Sequence, residues 1–258
     1  MVQISEELII VVSQYKTVQY TKVLLESLGI DKIPFTTLIV FDGTPPHKRG
    51  ILNGYWDISI QLEEQVQSIP ELFNLMFGAA KLTGAKYMLW AGSDMIFRQG
   101  SLASMYDLIQ QGWDIVSPVK IDKDQGLFEQ YEPTFDKPIP IIGFNDSTAM
   151  FRLDKMPFYP FDPVYGPYQF EVSALGFKLW QMGLKSVVDS NAVVLHYVNK
   201  DVEHTPDMQA DSVNWDKKRD HFLTTNGEAG KWYCENAIMD DSWVPVFGFP
   251  CYVGPKAE

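Results

Sequence analysis

Residues 71–95 read ELFNLMFGAAKLTGAKYMLWAGSDM, and this stretch decides the fold. Its first part has apolar residues at helical spacing and ends at Gly84, which predicts an amphipathic helix. An unbroken apolar run follows at residues 87–90 and leads directly into a polar turn that contains Asp94. A helix followed by a buried strand that ends at a polar turn is typical of an open α/β sheet.

The same alternation extends in both directions from this stretch. Further strands are predicted at residues 8–12, 37–41, 56–62 and 113–117. The runs LIIVV and TLIVF are apolar without alternation, which favours strands that are buried on both faces of a parallel sheet. Residues 17–28 have helical spacing and end at Gly29. Residues 1–120 are therefore predicted to form the nucleotide-binding half of a doubly wound sheet.

The pattern changes after residue 120. A polar excursion is expected at 120–140, a strand at 147–153, a helix at 170–182, and short strands at 186–188 and 192–196. Residues 201–258 are expected to be an irregular, aromatic-rich C-terminal extension packed on the domain. Since neither an internal repeat nor a flexible linker is present, one domain is predicted for residues 1–200.

Composition and charge narrow the class of protein. The chain has 258 residues, a formal net charge of −12 and an isoelectric point near 4.7. Duplex nucleic acid is disfavoured as a partner, because no concentrated basic run is present to neutralise phosphates. No stretch reaches the roughly 18 apolar residues of a membrane span, and the acidic start is unlike a secretory signal. We therefore expect a soluble, cytoplasmic protein without a transmembrane segment, with Cys234 and Cys251 as reduced thiols.

Polar residues stand at the ends of three predicted strands: Ser13 to Tyr15, Asp42, and Ser93 with Asp94. Ligands of parallel sheets bind where the carboxyl ends of the strands meet. Two acids at that edge fit a nucleotide and its metal ion. An ordinary turn at Asp42-Gly43, and a loop or capping acid at Asp94, are the alternative interpretations. A Gly-rich phosphate loop does not follow the first strand, which disfavours nucleotidyltransferases and Rossmann dehydrogenases.

The chain resembles the GT-A glycosyltransferases over roughly residues 6–200, above all the family-two enzymes, which are mostly inverting and use nucleotide sugars. The resemblance rests on blocks in the family's order: IIVVSQY (9–15), IVFDGT (39–44), residues 71–95, QGSL (99–102), STAMFRLDKMPFYPFDPVYG (147–166) and FEVSALGFKLWQMGLKSVVDSNAVVLHYV (170–198). It implies a single GT-A-type (Rossmann-like) α/β domain with a mostly parallel central sheet flanked by helices. Residues 1–120 would bind the nucleotide and residues 121–200 the acceptor.

The resemblance also implies roles for individual residues. The donor-binding positions are Ser13, Tyr15, Asp42, Asn74, Ser93 and Asp94. Ser13 and Asp42 would hold the base and ribose, and Asp94 matches the last acid of the D-x-D motif and would ligate Mn²⁺ or Mg²⁺. His196 matches a histidine that is a metal or phosphate ligand in some members; a structural histidine at a strand end is the alternative.

Two departures from the family pattern affect the chemistry. Gly92 replaces the first acid of D-x-D, so the metal loses a carboxylate and a metal-independent variant is an alternative. Val172 replaces the usual catalytic Asp of the E-D motif. Glu171 is therefore the first candidate for the catalytic base, with Asp146 and Asp162 as further candidates. An acid that stabilises the start of its own helix is the alternative for Glu171.

The predicted function is transfer of a sugar from a UDP- or GDP-type donor to a hydroxyl of a glycan, lipid-linked or protein acceptor, with inversion and a divalent metal. A catalytically inactive nucleotide- or glycan-binding protein on the same fold is the alternative. Aromatic side chains suit a carbohydrate-containing acceptor, although most are expected to be packing residues: Tyr131, Phe135, Tyr159, Tyr165, Tyr168 and Trp180. The basic run His47-Lys48-Arg49 could reach the diphosphate or form a solvated surface.

Overall fold

The computed structural model describes residues 7–15, 18–66, 68–122, 137–145, 147–166, 170–197 and 215–236. The strands are β1 (Leu8–Gln14), β2 (Thr36–Asp42), β3 (Ile58–Leu62), β4 (Tyr87–Gly92), β5 (Met95–Phe97), β6 (Ile115–Asp122), β7 (Ile139–Ile141), β8 (Thr148–Arg152) and β9 (Ser186–His196). The helices are α1 (Val18–Gly29), α2 (Pro46–Arg49), α3 (Ile69–Leu82), α4 (Ser101–Gln110), α5 (Glu171–Gln181) and α6 (Trp215–Asn236).

All described strands belong to one sheet, in the order β3-β2-β1-β4-β8-β6-β9-β5, with β7 paired to β9. The α/β class is confirmed, and β1 to β4 pair in parallel as their apolar runs predict. The prediction of a mostly parallel sheet is wrong for the second half. There β8 runs antiparallel to β4 and β6, and β5 and β7 run antiparallel to β9. Only the β6–β9 pair is parallel among the described strands of that half. The sheet is therefore mixed.

Helices cover both faces of the sheet. Along β1, Ile10 and Val12 pack with α1 and α4, whereas Ile9 and Val11 pack with α3 and α5. These four side chains are fully buried. Because successive strand residues point to opposite faces, a run without alternation satisfies both helical layers at once. This is the physical reason that LIIVV forms a central strand.

Residues 120–122 of β6 and most of β7 lie within the polar excursion that was predicted at 120–140. Two further differences concern β9 and β5. Residues 186–196 form one strand, β9, rather than two, with a bulge opposite Pro118 and Val119. Residues 95–97 form the short strand β5, which the sequence analysis did not predict. Both differences arise from pairing between distant segments, which periodicity within a short window does not reveal.

The C-terminal extension contains the helix α6, so the expectation of irregular structure is wrong for residues 215–236. A break at Gly227, with φ 55° and ψ −139°, divides α6. Phe222 and Tyr233 are buried against Phe177 of α5, with ring centroids 5.0 and 5.1 Å from it. Among the described residues, no helix is both long and apolar enough to cross a membrane.

Candidate functional site

Asp42 ends β2 as a buried carboxylate that is held by the backbone. Its side chain is 3% exposed, and Oδ1 accepts a hydrogen bond from the Val66 amide at 2.7 Å. Burial raises the pKa of the Asp42 carboxyl, and the Val66 N–H partly opposes that rise. Gly43 follows with φ 64°, and a Cβ there would lie 2.7 Å from the Gln65 nitrogen. The close approach of residues 64–66 therefore requires glycine at this position.

Ser13 lies at the same edge of the sheet as Asp42. It is half-buried and pairs with Val40 on β2 and with Gly92 on β4. Since Asp42 follows Val40 by two residues, Ser13 and Asp42 share one face of the sheet, and their strands lie about 4.8 Å apart. The Thr44 hydroxyl donates to the Gln14 carbonyl at 2.7 Å and joins the two strand ends. The structure thus brings the predicted base- and ribose-binding residues together.

The basic run after Asp42 divides into exposed and packed side chains. His47 and Lys48 are exposed. The Arg49 guanidinium donates to the Thr44 carbonyl at 2.8 Å and to Gln61 Oε1 at 2.6 Å, and it lies over the Phe41 ring. Arg49 therefore supports the loop that follows β2.

Asp94 and His196 form a pair at the ends of β4 and β9. Asp94 Oδ2 lies 3.4 Å from His196 Nε2, and the two side chains are 28% and 20% exposed. Antiparallel pairing of Met95 with His196 sets this arrangement, and the Tyr197 amide donates to the Asp94 carbonyl at 2.9 Å. Residues about 100 positions apart in the chain thus meet at the edge that also carries Ser13 and Asp42.

The donor set of this pair suits a metal ion that substrate phosphates help to hold. Mn²⁺ accepts carboxylate and imidazole ligands, and Mg²⁺ is usually bound through one or two carboxylates, phosphates and water. No cluster of three or more His, Cys, Asp or Glu side chains that could hold a metal occurs among the described residues. A metal ion at this pair would have two protein ligands and would take its remaining ligands from other oxygens.

Gly92 occupies the position of the first acid of the D-x-D motif, and neighbouring atoms lie close to it. A Cβ at Gly92 would lie 3.1 Å from Asp94 Oδ1 and 3.3 Å from the Ser147 carbonyl oxygen. The Gly92 amide donates to that same carbonyl at 2.8 Å. The Asp94 carboxylate therefore lies close to the space that a side chain at position 92 would occupy.

Glu171 is the first residue of α5 and is 6% exposed. It follows Phe170, a buried residue with φ 69°, a strained conformation for a residue with a Cβ. The preceding segment approaches the start of α3, since a Cβ at Gly166 would lie 2.8 Å from Ser68 Oγ. Because α3 begins just after the end of the parallel strand β3, this contact places Gly166 toward the edge of the sheet that carries Asp42.

The other predicted donor-binding residues have the following positions. Tyr15 and Ser93 are half-buried, immediately after β1 and β4. Asn74 lies in α3, where its amide donates to the Phe161 carbonyl at 2.8 Å and accepts from the Phe161 amide at 2.9 Å. Both polar atoms of Asn74 thus bind the loop before α5. Asn74 therefore stabilises the loop before α5, and its role in donor binding stays a prediction.

The further candidate bases and acceptor-binding aromatics are mostly outside the described residues or engaged in packing. Asp162 is exposed, and its Oδ1 accepts from the Val164 amide at 3.0 Å. Tyr165 is buried beside Phe170, and burial raises its pKa to about 12. Trp180 stacks on Trp232 of α6, with centroids 5.5 Å apart. Outside the described residues lie Asp146, Tyr131, Phe135 and Tyr168.

Two polar residues near Gly92 were missed by the sequence analysis. Lys120 Nζ lies 3.4 Å from Ser147 Oγ, and the Ser147 carbonyl accepts the Gly92 amide. The available signal was a lysine within the apolar run IVSPVKI of β6. Its position beside Gly92 depends on the pairing of β4 with β8, which the sequence pattern does not specify.

Comparisons with known proteins identify the fold. No protein-family model and no curated protein matches the chain. A crystal structure of GalNAc-T7 with UDP, GalNAc and Mn²⁺ aligns with a TM-score of 0.64 and 12% identity, over 90% of this chain and 56% of that one. A structure of S. aureus TarS 1-349 aligns with a TM-score of 0.56 and 16% identity, over 86% and 74%.

A longer TarS structure aligns with a TM-score of 0.53 and 16% identity, over 86% of this chain and 46% of that one. The chain thus spans about half the length of GalNAc-T7 and of the longer TarS structure. The aligned proteins are glycosyltransferases of GT-A or GT-A-like fold. At these identities the likeness concerns the fold, with its mixed sheet between helical layers. The chain therefore has the GT-A fold of glycosyltransferases.

Proposed function

We propose that the protein is a glycosyltransferase that moves a sugar from a UDP- or GDP-type donor to a hydroxyl of a glycan, lipid-linked or protein acceptor. The observation that carries this proposal is the Asp94–His196 pair at 3.4 Å, at the edge of the sheet where Ser13 and Asp42 also lie. Its location is the one expected for ligands of an α/β sheet. A cytoplasmic location stays a prediction from the sequence.

Ser13 and Asp42 are proposed to bind the nucleoside of the donor. The Val66 amide holds Asp42 in one orientation before any ligand arrives. A carboxylate fixed in this way loses little side-chain entropy when it accepts hydrogen bonds from ribose hydroxyls or a base. Tyr15 and Ser93 follow the neighbouring strands, and we propose that they border the same ligand.

Asp94 and His196 are proposed to hold Mn²⁺ or Mg²⁺ against the donor's diphosphate. When bound, such an ion would neutralise the negative charge that develops on the leaving group. The structure with UDP and Mn²⁺ on the same fold supports this part of the proposal by analogy. The chain's own contribution is to place a carboxylate and an imidazole side by side at a half-buried position.

Glu171 is proposed as the base that takes the proton from the acceptor hydroxyl. That oxygen then bonds to the anomeric carbon, while the bond from this carbon to the diphosphate breaks. The electron pair of the broken bond leaves with the nucleoside diphosphate. Attack from the face opposite the leaving group inverts the anomeric centre. General base catalysis typically contributes about 10²–10⁴-fold to the rate.

A catalytically inactive nucleotide- or glycan-binding protein is the second candidate. Gly92 and Val172, which stand where the family has acids, favour it. The crowding around Gly92 adds to this, because a side chain there would approach Asp94.

Release of nucleoside diphosphate from a panel of UDP- and GDP-sugars, with Mn²⁺ or with EDTA, tests the proposal. We expect Mn²⁺-dependent release, reduced by about 10²-fold or more in Asp94→Ala, since charge stabilisation at a leaving group has effects of that size. Asp154→Ala is the matched control, because Asp154 is an exposed acid beyond the opposite end of the sheet.

The outcomes separate the candidates. Tight nucleotide binding without turnover, unchanged by Glu171→Ala, would favour the binding protein. Turnover that EDTA leaves intact would refute the metal while keeping the transferase. If no donor binds or turns over, the glycosyltransferase proposal is wrong.

A further inference from the structure

Lys120 is a charged residue within a central, mostly apolar strand. Its neighbours Val119 and Ile121 are 1% and 4% exposed, whereas Lys120 itself is half-buried. Lys120 lies in the part of β6 that pairs with β9, whereas β8 pairs with β6 at Ile115 and Val116. An ammonium group in such a position is costly unless hydrogen bonds and opposite charge compensate it. Its presence therefore needs a physical reason.

The Lys120 side chain reaches the segment next to Gly92. Nζ lies 3.4 Å from Ser147 Oγ, and the carbonyl of the same serine accepts the Gly92 amide at 2.8 Å. Ser147 thus contacts both the Lys120 ammonium and the amide of Gly92, the residue that replaces the first acid of the D-x-D motif. A positive charge stands near the place where a carboxylate was expected.

The strand register relates Lys120 to the Asp94–His196 pair. In the parallel β6–β9 ladder, Lys120 pairs with Val194. His196 follows Val194 by two residues, so Lys120 and His196 project from the same face of the sheet, about 7 Å apart along the strand direction. Lys120 therefore contacts Ser147 and shares a face of the sheet with His196.

Two hydrogen-bond donors of this region suit an anionic ligand. Gly92 contributes no carboxylate, Asp94 is the acid that contacts His196, and Asp122 is the partner of His196 in the β6–β9 ladder. Asn145, which is 2% exposed, adds a side-chain Nδ2 donor that has no partner among the described residues. Its Oδ1 accepts from the Ser147 amide at 2.8 Å, so it belongs to the same loop as the lysine's partner. Ammonium and amide donors together suit phosphate oxygens.

We propose that Lys120 binds the diphosphate of the nucleotide-sugar donor and stays bound to it as the nucleoside diphosphate leaves. This inference rests on the proposed function, since it assumes that a nucleotide occupies the edge of the sheet. Lys120 then adds positive charge at a site that has one acid of the D-x-D motif, Asp94. The leaving diphosphate contacts this ammonium group in addition to any metal ion.

The test compares the affinities of a nucleoside diphosphate and its nucleoside by calorimetry in the presence of EDTA. Because hydrogen bonds to charged groups contribute roughly 1.5–3 kcal/mol, Lys120→Met should weaken diphosphate binding by about 10-fold or more. Binding of the nucleoside should not change. Lys120→Arg should retain most of the diphosphate affinity, and the exposed Lys155→Met should behave like wild type.

Ser147→Ala provides a second variant in case Lys120→Met fails to fold. It removes the hydroxyl at 3.4 Å and leaves the charge, so a smaller loss that is again confined to the diphosphate is expected. A lowered melting temperature of Lys120→Met with unchanged affinities would overturn the inference, since the lysine would then only compensate charge within the fold.

The two proposals fail in distinguishable ways. If wild type binds the diphosphate and Lys120→Met binds it equally well, the inference alone is wrong. If wild type binds neither diphosphate nor nucleoside, the proposed function is wrong and the inference fails with it.

Discussion

The two halves of the sheet build the candidate site in different ways. In residues 8–94, each polar group stands at the end of an apolar strand, and neighbouring backbone holds it, as the Val66 amide holds Asp42. In residues 95–196, the strands are mixed in direction and the groups are placed by long-range pairing, as His196 is placed beside Asp94. The first half is specified locally, whereas the second depends on tertiary assembly.

This difference suggests a division of labour: the first half would bind the nucleoside of the donor, and the second half would complete the diphosphate site and supply the base. The variants that follow test that division, since each changes one half and is measured on both donor binding and stability or turnover.

Glu171→Gln should have the largest effect, and it should separate turnover from donor binding. It keeps the size of the side chain and removes the proposed base, so we expect kcat to fall by about 10²–10⁴-fold. Affinity for nucleoside diphosphate should stay unchanged, because Ser13 and Asp42 are the residues proposed to bind the nucleoside. Steady-state kinetics and calorimetry measure the two quantities.

The matched control is Glu228→Gln, an exposed acid on α6. Equal losses in kcat and nucleotide affinity for Glu171→Gln would contradict the division between the halves. An unchanged kcat would leave Glu171 as an acid that stabilises the start of α5.

Phe177→Ala tests whether aromatic packing with α6 supports the second half. Phe177 is 2% exposed and contacts the rings of Phe222 and Tyr233. Truncation of a buried Phe typically costs about 3–5 kcal/mol, which denaturant unfolding should detect. Phe158→Ala, at a ring that is 41% exposed, should cost far less.

Nucleotide affinity of folded Phe177→Ala should remain close to that of wild type. If it falls in parallel with stability, the two halves form a single cooperative unit and the division is wrong.

The first half was predicted well from sequence for a physical reason. Runs such as LIIVV are apolar on both faces, and this pattern has one common solution, a central strand between two helical layers. The polar residues that follow such runs must then gather at one edge. Ser13, Asp42 and Asp94 could therefore be placed without a structure.

The second half could not be predicted to the same extent, because its geometry depends on partners that are far away in sequence. β5 has three residues and exists through its pairing with β9. Lys120 gains its position from the contact with Ser147, 27 residues later. Helix α6 is weakly amphipathic, and its aromatic residues indicated burial but not helical structure.

Gly92→Ala should lower turnover moderately, because it disturbs Asp94 at the proposed donor site. The new Cβ would lie 3.1 Å from Asp94 Oδ1 and 3.3 Å from the Ser147 carbonyl, so the carboxylate must move. We expect turnover to fall by about 10-fold, because a shift of Asp94 displaces the carboxylate that is proposed to hold the metal, and stability to fall by the roughly 1–3 kcal/mol that overpacking costs. Gly29→Ala is the control, since a Cβ there meets nothing within 4 Å. Unchanged turnover would show that Asp94 tolerates displacement.

Asp42→Asn should have the smallest effect on stability, and the size of that effect depends on pH. Burial raises the Asp42 pKa above the ordinary 3.8, so the folded state binds a proton more tightly than the unfolded state. The ionised carboxylate therefore lowers stability at neutral pH, and this cost disappears as the pH falls below 3.8. Asp42→Asn should melt slightly higher than wild type at pH 7 and equally at low pH, while it binds nucleotide more weakly.

Glu7→Gln gives the control of opposite sign. The hydrogen bond from Lys86 lowers the Glu7 pKa, so its stabilising contribution is present at neutral pH and is lost as the pH falls through the lowered value. Glu7→Gln should therefore melt slightly lower at pH 7. If Asp42→Asn also melts lower there, the Val66 hydrogen bond outweighs the burial of Asp42. The Asp42 carboxylate would then stabilise the fold, and its proposed role in donor binding would not lower stability.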